Sequence, residues 1–160
     1  LLVLSKLETT ESGQNHKPIN MEQLLSVVKA ETDVLAQEKN QQLNLICNNT
    51  TKPLLFNGNE KELHSAFANL VINAIKYTQA EGRINILLWQ DLQHFYISVN
   101  DNGPGIEAQH LPRLTERFYR VDASRNSETG GTGLGLAIVK HVLLRHYAEL
   151  KITSEPGKGS

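Results

Sequence analysis

The chain has one cysteine, Cys47, among its 160 residues. It therefore cannot close a disulfide on itself, and this usage suits a reducing compartment. It also lacks any apolar run near the roughly 20 residues that span a bilayer, and no secretory signal pattern is present. Charge of either sign is not in excess: 16 Lys and Arg stand against 17 Asp and Glu, a formal net charge of −1. That balance offers no electrostatic reason to invoke a nucleic acid or a membrane surface as partner. There are no internal repeats and no low-complexity tract. What remains is the composition of one globular domain, 39% hydrophobic and 21% charged, with room for a short appendage. The opening LLVLSKLE is apolar and has no methionine, so a fragment of a longer chain is expected.

Periodicity divides the chain into elements. Leu1 to Glu8 is expected to be the end of a helix, with Leu1, Leu4 and Leu7 on one side. Polar residues 9–18, which include Gly13 and Pro18, make the best linker. Met21 to Gln37 carries Leu24, Leu25, Val28 and Leu35 at mostly helical spacing. Leu43 to Cys47 alternates as a strand, which makes Cys47 a packing residue. A short strand is expected at Pro53 to Phe56, and a turn at Asn57 to Asn59. Glu60 to Tyr77 predicts a long helix. Arg83 to Gln90 and His94 to Asp101 alternate as an antiparallel pair across Asp91 to Gln93. Asn102 to Gly131 has no period, and so long a loop in a compact domain is usually functional or disordered. A helix over Gly133 to His146 and a strand over Glu149 to Ser154 complete the chain.

Three places could carry chemistry. On the Glu60 to Tyr77 helix, about 100° per residue puts Leu63, Phe67, Leu70, Val71 and Ala74 on one side. Asn69, Asn73, Lys76 and Tyr77 form a second stripe. A solvated face is the ordinary explanation, but Glu and Lys are commoner there than paired asparagines, so both readings stay open. Asp101 shares its parity with Phe95, Ile97 and Val99, so its carboxylate leaves the strand on the core side, where a charge needs a partner. The turn residues after it would also explain an Asp that caps its own backbone. The third place is GGTGLGLAIVK, residues 130–140, with glycines directly before a helix. These form either a flexible hinge or a cradle whose amides reach an anion such as phosphate. Leu136 stands where a dinucleotide fingerprint needs its third glycine, and Gly159 after Lys158 excludes a P-loop.

Taken together, NLVINAIKYT, DNGPGI, ERFYRVD and GGTGLGLAIVK resemble the asparagine box, first glycine box, phenylalanine box and second glycine box of two-component sensor histidine kinases. They occur in the order and spacing of that family's catalytic, ATP-binding domain. The wording LPRLTERFYRVD is most similar to the phosphate-regulon sensor kinases. The resemblance implies an α/β two-layer sandwich, a mixed β-sheet with three main helices of the Bergerat type. It divides the chain into the end of a dimerisation and phosphotransfer hairpin (1–8), a linker (9–18) and the catalytic domain (19–160), whose usual last strand would lie beyond Ser160.

The same resemblance implies ATP and Mg²⁺ as cofactors. Asp101 would accept from the adenine amino group, Asn73 would be the Mg²⁺ ligand, and Asn69 would support it one turn earlier. Lys76 would reach the phosphates and Tyr77 would pack on the nucleoside. Gly103, Gly105 and Ile106 would line the adenine end. Gly131, Thr132, Gly133, Leu134 and Gly135 would bring backbone amides to the phosphates. Arg120 and Arg125 would contact phosphate from a lid anchored by Phe118. Asn69 stands where related ATPases have a water-activating glutamate, which favours transfer over hydrolysis. None of the six histidines lies in a phosphoacceptor box, so the acceptor would lie upstream. Partners would be ATP, the chain's own hairpin in a homodimer, and a response-regulator receiver domain, in a cytoplasmic part of an inner-membrane protein. An anti-sigma-type Ser/Thr kinase and a non-catalytic nucleotide-binding module are the alternatives. Asn59, where an aspartate is usual, is expected to affect only local capping.

Overall fold

The computed structural model describes residues 2–5, 16–48, 52–121 and 135–160. Its elements run β1 (Leu2–Ser5), β2 (Lys17–Asn20), α1 (Met21–Glu38), β3 (Gln42–Cys47), β4 (Leu55–Gly58), α2 (Glu60–Tyr77), β5 (Arg83–Gln90), β6 (His94–Asp101), α3 (Gly135–Arg145) and β7 (Ala148–Leu150). The larger sheet has the order β3-β5-β6-β1-β7. Only β3 and β5 are parallel in it; the other neighbours are antiparallel, so the sheet is mixed as expected.

One apolar cluster joins the three helices to one face of the sheet. Phe67, Leu63 and Val71 of α2 are fully buried with Leu25 and Val28 of α1, Val139 of α3, Ile84 and Ile86 of β5 and Ile97 of β6. This is the two-layer sandwich. The strand parity holds: Phe95 and Ile97 are buried, and Asp101 shares their side half-buried. Local capping agrees with the sequence as well. Asn20 and Asn59 are the N-caps of α1 and α2, their side chains accepting from Gln23 and Glu62 backbone amides at 3.1 Å each. On α1 the buried stripe ends in Thr32 and Ala36 rather than Leu35, which is exposed. The Thr32 hydroxyl can be buried because it donates to the Val28 carbonyl one turn back at 2.8 Å.

Three expectations need correction. Leu2–Ser5 is not helical but a strand, antiparallel to β6 on one side and β7 on the other. A single helical turn is costly to nucleate, whereas the gap between β6 and β7 offers both its flanks for ladder bonds. Lys17–Asn20, partly assigned to the linker, pairs with Leu55–Gly58 as a separate two-stranded sheet. Pro18 is tolerated because β2 has only one strand neighbour. That pairing also extends the expected 53–56 strand to Gly58 and leaves only Asn59 to turn into α2. The last strand is Ala148–Leu150, shorter and earlier than expected. The rest of the linker lies outside the described residues.

Candidate nucleotide site

Helix α2 passes its polar stripe beneath the start of α3. The Asn69 Nδ2 donates to the Ser65 carbonyl at 2.8 Å, which leaves its Oδ1 pointing outward. A Cβ placed on Gly135, the first residue of α3, would stand 3.4 Å from Asn69 Oδ1 and 3.8 Å from Asn73 Oδ1. Two neutral amide oxygens therefore converge on a helix N-terminus, whose partial positive charge favours an anion. No acidic side chain in the first turn of α3 competes for that charge. Lys76 follows one turn after Asn73, half-buried, and Tyr77 is 57% exposed.

The far end of α2 meets the end of β6. Asp101 donates its own N–H to the Ser160 carbonyl at 2.8 Å, and its Oδ1 accepts the Gly103 N–H at 2.9 Å. Burial pushes its carboxyl above the ordinary carboxylate range, outweighing the Gly103 and Ser160 amides and the Thr78 side chain, which pull the other way. Gly103 is buried, and any side chain there would press on this carboxylate: a Cβ would come within 2.8 Å of Asp101 Oδ1. Gly105 has φ +73°, and a Cβ there would sit 2.2 Å from the Glu155 carbonyl. The segment Glu155 to Ser160 is folded against the DNGPG turn through Gly157 N–H to Pro104 O at 2.7 Å. The Ile106 N–H donates to Ser154 Oγ at 2.7 Å, which ties Ile106 to the same corner.

Beyond Ile106 the chain makes a short 3-10 turn, Leu111–Arg113, and buries Leu114. Arg113 lies over the Tyr119 ring at 4.3 Å and pairs with Glu116 at 3.2 Å. Tyr119 also hydrogen-bonds to His110. Arg120 is half-buried, with its Nε buried and without a hydrogen-bond partner. Phe118 was expected to anchor a lid, most of which lies outside the described residues. It is 72% exposed and has φ +63°. Arg125, Gly131, Thr132, Gly133 and Leu134 lie outside the described residues.

Sequence reasoning missed the groups that hold this end of α2. Lys39 Nζ donates to the carbonyls of Ile75, Lys76 and Thr78 at 2.8, 3.1 and 2.6 Å. Gln41 Nε2 donates to those of Ile75, Thr78 and Gln79 at 3.0, 2.8 and 3.2 Å. The last carbonyls of a helix have no partner within it, and here two side chains 34 to 39 residues away supply the donors. No local signal marks Lys39 and Gln41 for this, since the contact spans α1, β3 and α2.

Residues 58–160 match the family model described as histidine kinase-, DNA gyrase B-, and HSP90-like ATPase. The chain belongs to that family. The phosphate regulon sensor protein PhoR of Pseudomonas aeruginosa is 52% identical over 160 residues, covering the whole chain and 35% of that protein. PhoR of Haemophilus influenzae is 43% identical over 98% of the chain and 36% of its own length. The chain thus spans about a third of the curated relatives it matches. Among solved structures, the mycobacterial sensor histidine kinase MprB superposes with a TM-score of 0.68 at 30% identity, covering 82% of this chain and 80% of that one. Full-length ShkA in complex with AMPPNP gives 0.77 at 25% identity over 94% of this chain and 30% of its own. Membership of the ATPase family makes ATP the nucleotide to place against α2. No helix among the described residues is long and apolar enough to cross a membrane.

Proposed function

We propose that the chain is the ATP-binding catalytic part of a sensor histidine kinase of the phosphate-regulon type. The observation that carries this reading is the convergence of Asn69 and Asn73 oxygens on the start of α3, while Asp101 stands half-buried at the other end of the same helix. One helix thus presents a phosphate end and a base end. Asp101 accepts from the exocyclic amino group of adenine, and Gly103 and Gly105 let the backbone approach the ring. Lys76, Arg120 and Arg125 neutralise phosphate charge, with the α3 N-terminus and the backbone of Gly131, Thr132, Gly133, Leu134 and Gly135. Tyr77 packs on the nucleoside.

The donor set fits Mg²⁺ that arrives with the triphosphate. Asn73 supplies one hard neutral oxygen, and Mg²⁺ is commonly held by few protein ligands with phosphate oxygens and water completing its shell. Among the described residues no group of three His, Cys, Asp or Glu side chains could hold a metal alone. When bound, the ion offsets charge on the phosphates. The protein's own contribution is positioning and electrostatics, which dominate phosphoryl transfer.

Position 69 selects the acceptor. Water must lose a proton to attack, and an amide cannot take it. A neutral imidazole attacks through its own lone pair: an N–P bond forms, the bond from γ-phosphorus to the bridging oxygen breaks, and ADP leaves. The acceptor histidine belongs to a hairpin domain of the intact homodimer. The phosphoryl group then passes to a receiver-domain aspartate of a response regulator. The intact protein is placed at the bacterial inner membrane with this part in the cytoplasm.

Calorimetry of the chain with Mg-ATP tests the reading. Binding is expected that disappears in Asp101→Asn and weakens without Mg²⁺ or in Asn73→Ala. With radiolabelled ATP and a separate hairpin bearing the acceptor, acid-labile label is expected. Acid-stable label would indicate a Ser/Thr kinase, and binding without transfer would indicate a nucleotide-binding module. A brisk steady-state ATPase would sink the role given to Asn69.

A further inference from the structure

The corner between α1 and β3 is a part of the fold to which the nucleotide reading gives no role. Helix α1 closes there in a Schellman cap, with Asn40 N–H donating to Gln37 O at 3.0 Å and Gln41 N–H to Ala36 O at 2.9 Å. Asn40 takes the left-handed position that this cap requires, at φ +52°. The reversal at Asn40 brings the side chains of Lys39 and Gln41 together on the end of a different helix, α2.

The contact is complete on the donor side. An ammonium has three N–H groups, and Lys39 Nζ places them on three carbonyls, those of Ile75, Lys76 and Thr78. It does so at the negative end of the α2 dipole, which favours a cation. Gln41, 7% exposed and uncharged, holds two of the same carbonyls and that of Gln79. The held carbonyls flank Lys76 and Tyr77, in the turn where the helix would otherwise fray. Thr78 already leaves it at φ −87°, ψ 138°. Asn69 and Asn73 lie earlier, inside the ladder of the helix itself. The clamp also extends toward the base end. Gln79 Nε2 donates to Asn102 O at 3.2 Å, beside Asp101, and the Glu81 N–H donates to Lys39 O at 2.9 Å.

We propose that Lys39 and Gln41 are positioning residues of the nucleotide site: they fix the last turn of α2 so that Lys76 leaves it toward the phosphates. Their donors are committed to α2 carbonyls, so both act through Lys76 and not on the nucleotide. This inference rests on the nucleotide reading above and adds to it the pair that aims its phosphate-reaching lysine.

The test is calorimetry with Mg-ATP on the chain and on Lys39→Met and Gln41→Ala, each made with and without Lys76→Ala. Far-UV circular dichroism reports that each is folded; should one clamp variant not fold, the other decides. With Lys76 present, each clamp variant is expected to weaken ATP about fivefold, the equivalent of about 1 kcal/mol. With Lys76→Ala in place, the same changes should shift affinity by less than about twofold, the range of independent sites. Because Gln41 carries no charge, its effect cannot be attraction between a distant cation and phosphate. No loss with Lys76 present, or the same factor in both backgrounds, overturns the proposal, the second case marking a role in stability alone. Both results leave the nucleotide reading intact as long as Asp101→Asn abolishes binding. A Lys76→Ala variant that binds ATP like the parent removes Lys76 from the phosphate end and overturns the proposal with it. Failure of the unaltered chain to bind ATP overturns the nucleotide reading as well.

Discussion

Lys39 and Gln41 share their acceptors, and this makes a quantitative claim. The Ile75 and Thr78 carbonyls each accept from both side chains, whereas Lys76 O is reached by Lys39 and Gln79 O by Gln41. Gln79 O also accepts the Gly82 N–H at 3.1 Å. Removing either donor therefore leaves both shared carbonyls with one bond. Lys39→Met keeps the aliphatic stem and removes the ammonium; Gln41→Ala removes the amide together with its own unpartnered Oε1. Each single change should cost about 1 kcal/mol, the net value of a typical hydrogen bond. In the double variant the Ile75 and Thr78 carbonyls lose both donors, and each buried orphan costs about 1–3 kcal/mol. The double loss should exceed the sum of the singles by about 2 kcal/mol. Urea unfolding with unchanged m-values measures the cycle. A coupling under about 0.5 kcal/mol, the range of independent sites, would refute shared capping.

Two further outcomes follow from the geometry. Gly105→Ala places a β-carbon at positive φ and against the Glu155 carbonyl, where no rotamer gives relief, so a loss of about 2 kcal/mol or more is expected, read as a fall of roughly 5 °C in the unfolding midpoint. An unchanged midpoint would show that the turn and the Glu155 segment do not pack together. His146 is 3% exposed; Nδ1 donates to Val142 O at 2.7 Å and Nε2 accepts the Asn59 N–H at 3.0 Å, which fixes the neutral ring. Burial depresses its pKa, with His16 and Arg145 acting the same way and the Val142 carbonyl and Glu62 opposing. Its folded pKa being below the unfolded value, its stabilisation is complete above about pH 6.5 and is lost as pH falls toward the folded value. Urea midpoints should drop between pH 7.5 and 5, and His146→Asn should flatten that dependence; an identical slope in the variant would refute it.

The elements whose evidence is local were legible in the chain. The α2 periodicity and the Arg83 to Asp101 hairpin each depend on neighbours a few residues apart, and each stands in the structure where it was expected. The inward carboxylate of Asp101 was legible for the same reason, since parity along a strand is a local property. The four motifs in order carried the family.

Tertiary structure decided everything that depends on what fills a distant gap. Leu2–Ser5 is a strand because β6 and β7 leave a slot, and Lys17–Asn20 is a strand because β4 lies beside it; neither partner is nearby in sequence. The convergence of two asparagines on Gly135 and the capping of α2 by Lys39 and Gln41 likewise join separated segments. Periodicity reports which face of an element is apolar; it carries no information about which donor will come to meet an exposed carbonyl, because that is settled only when the faces pack.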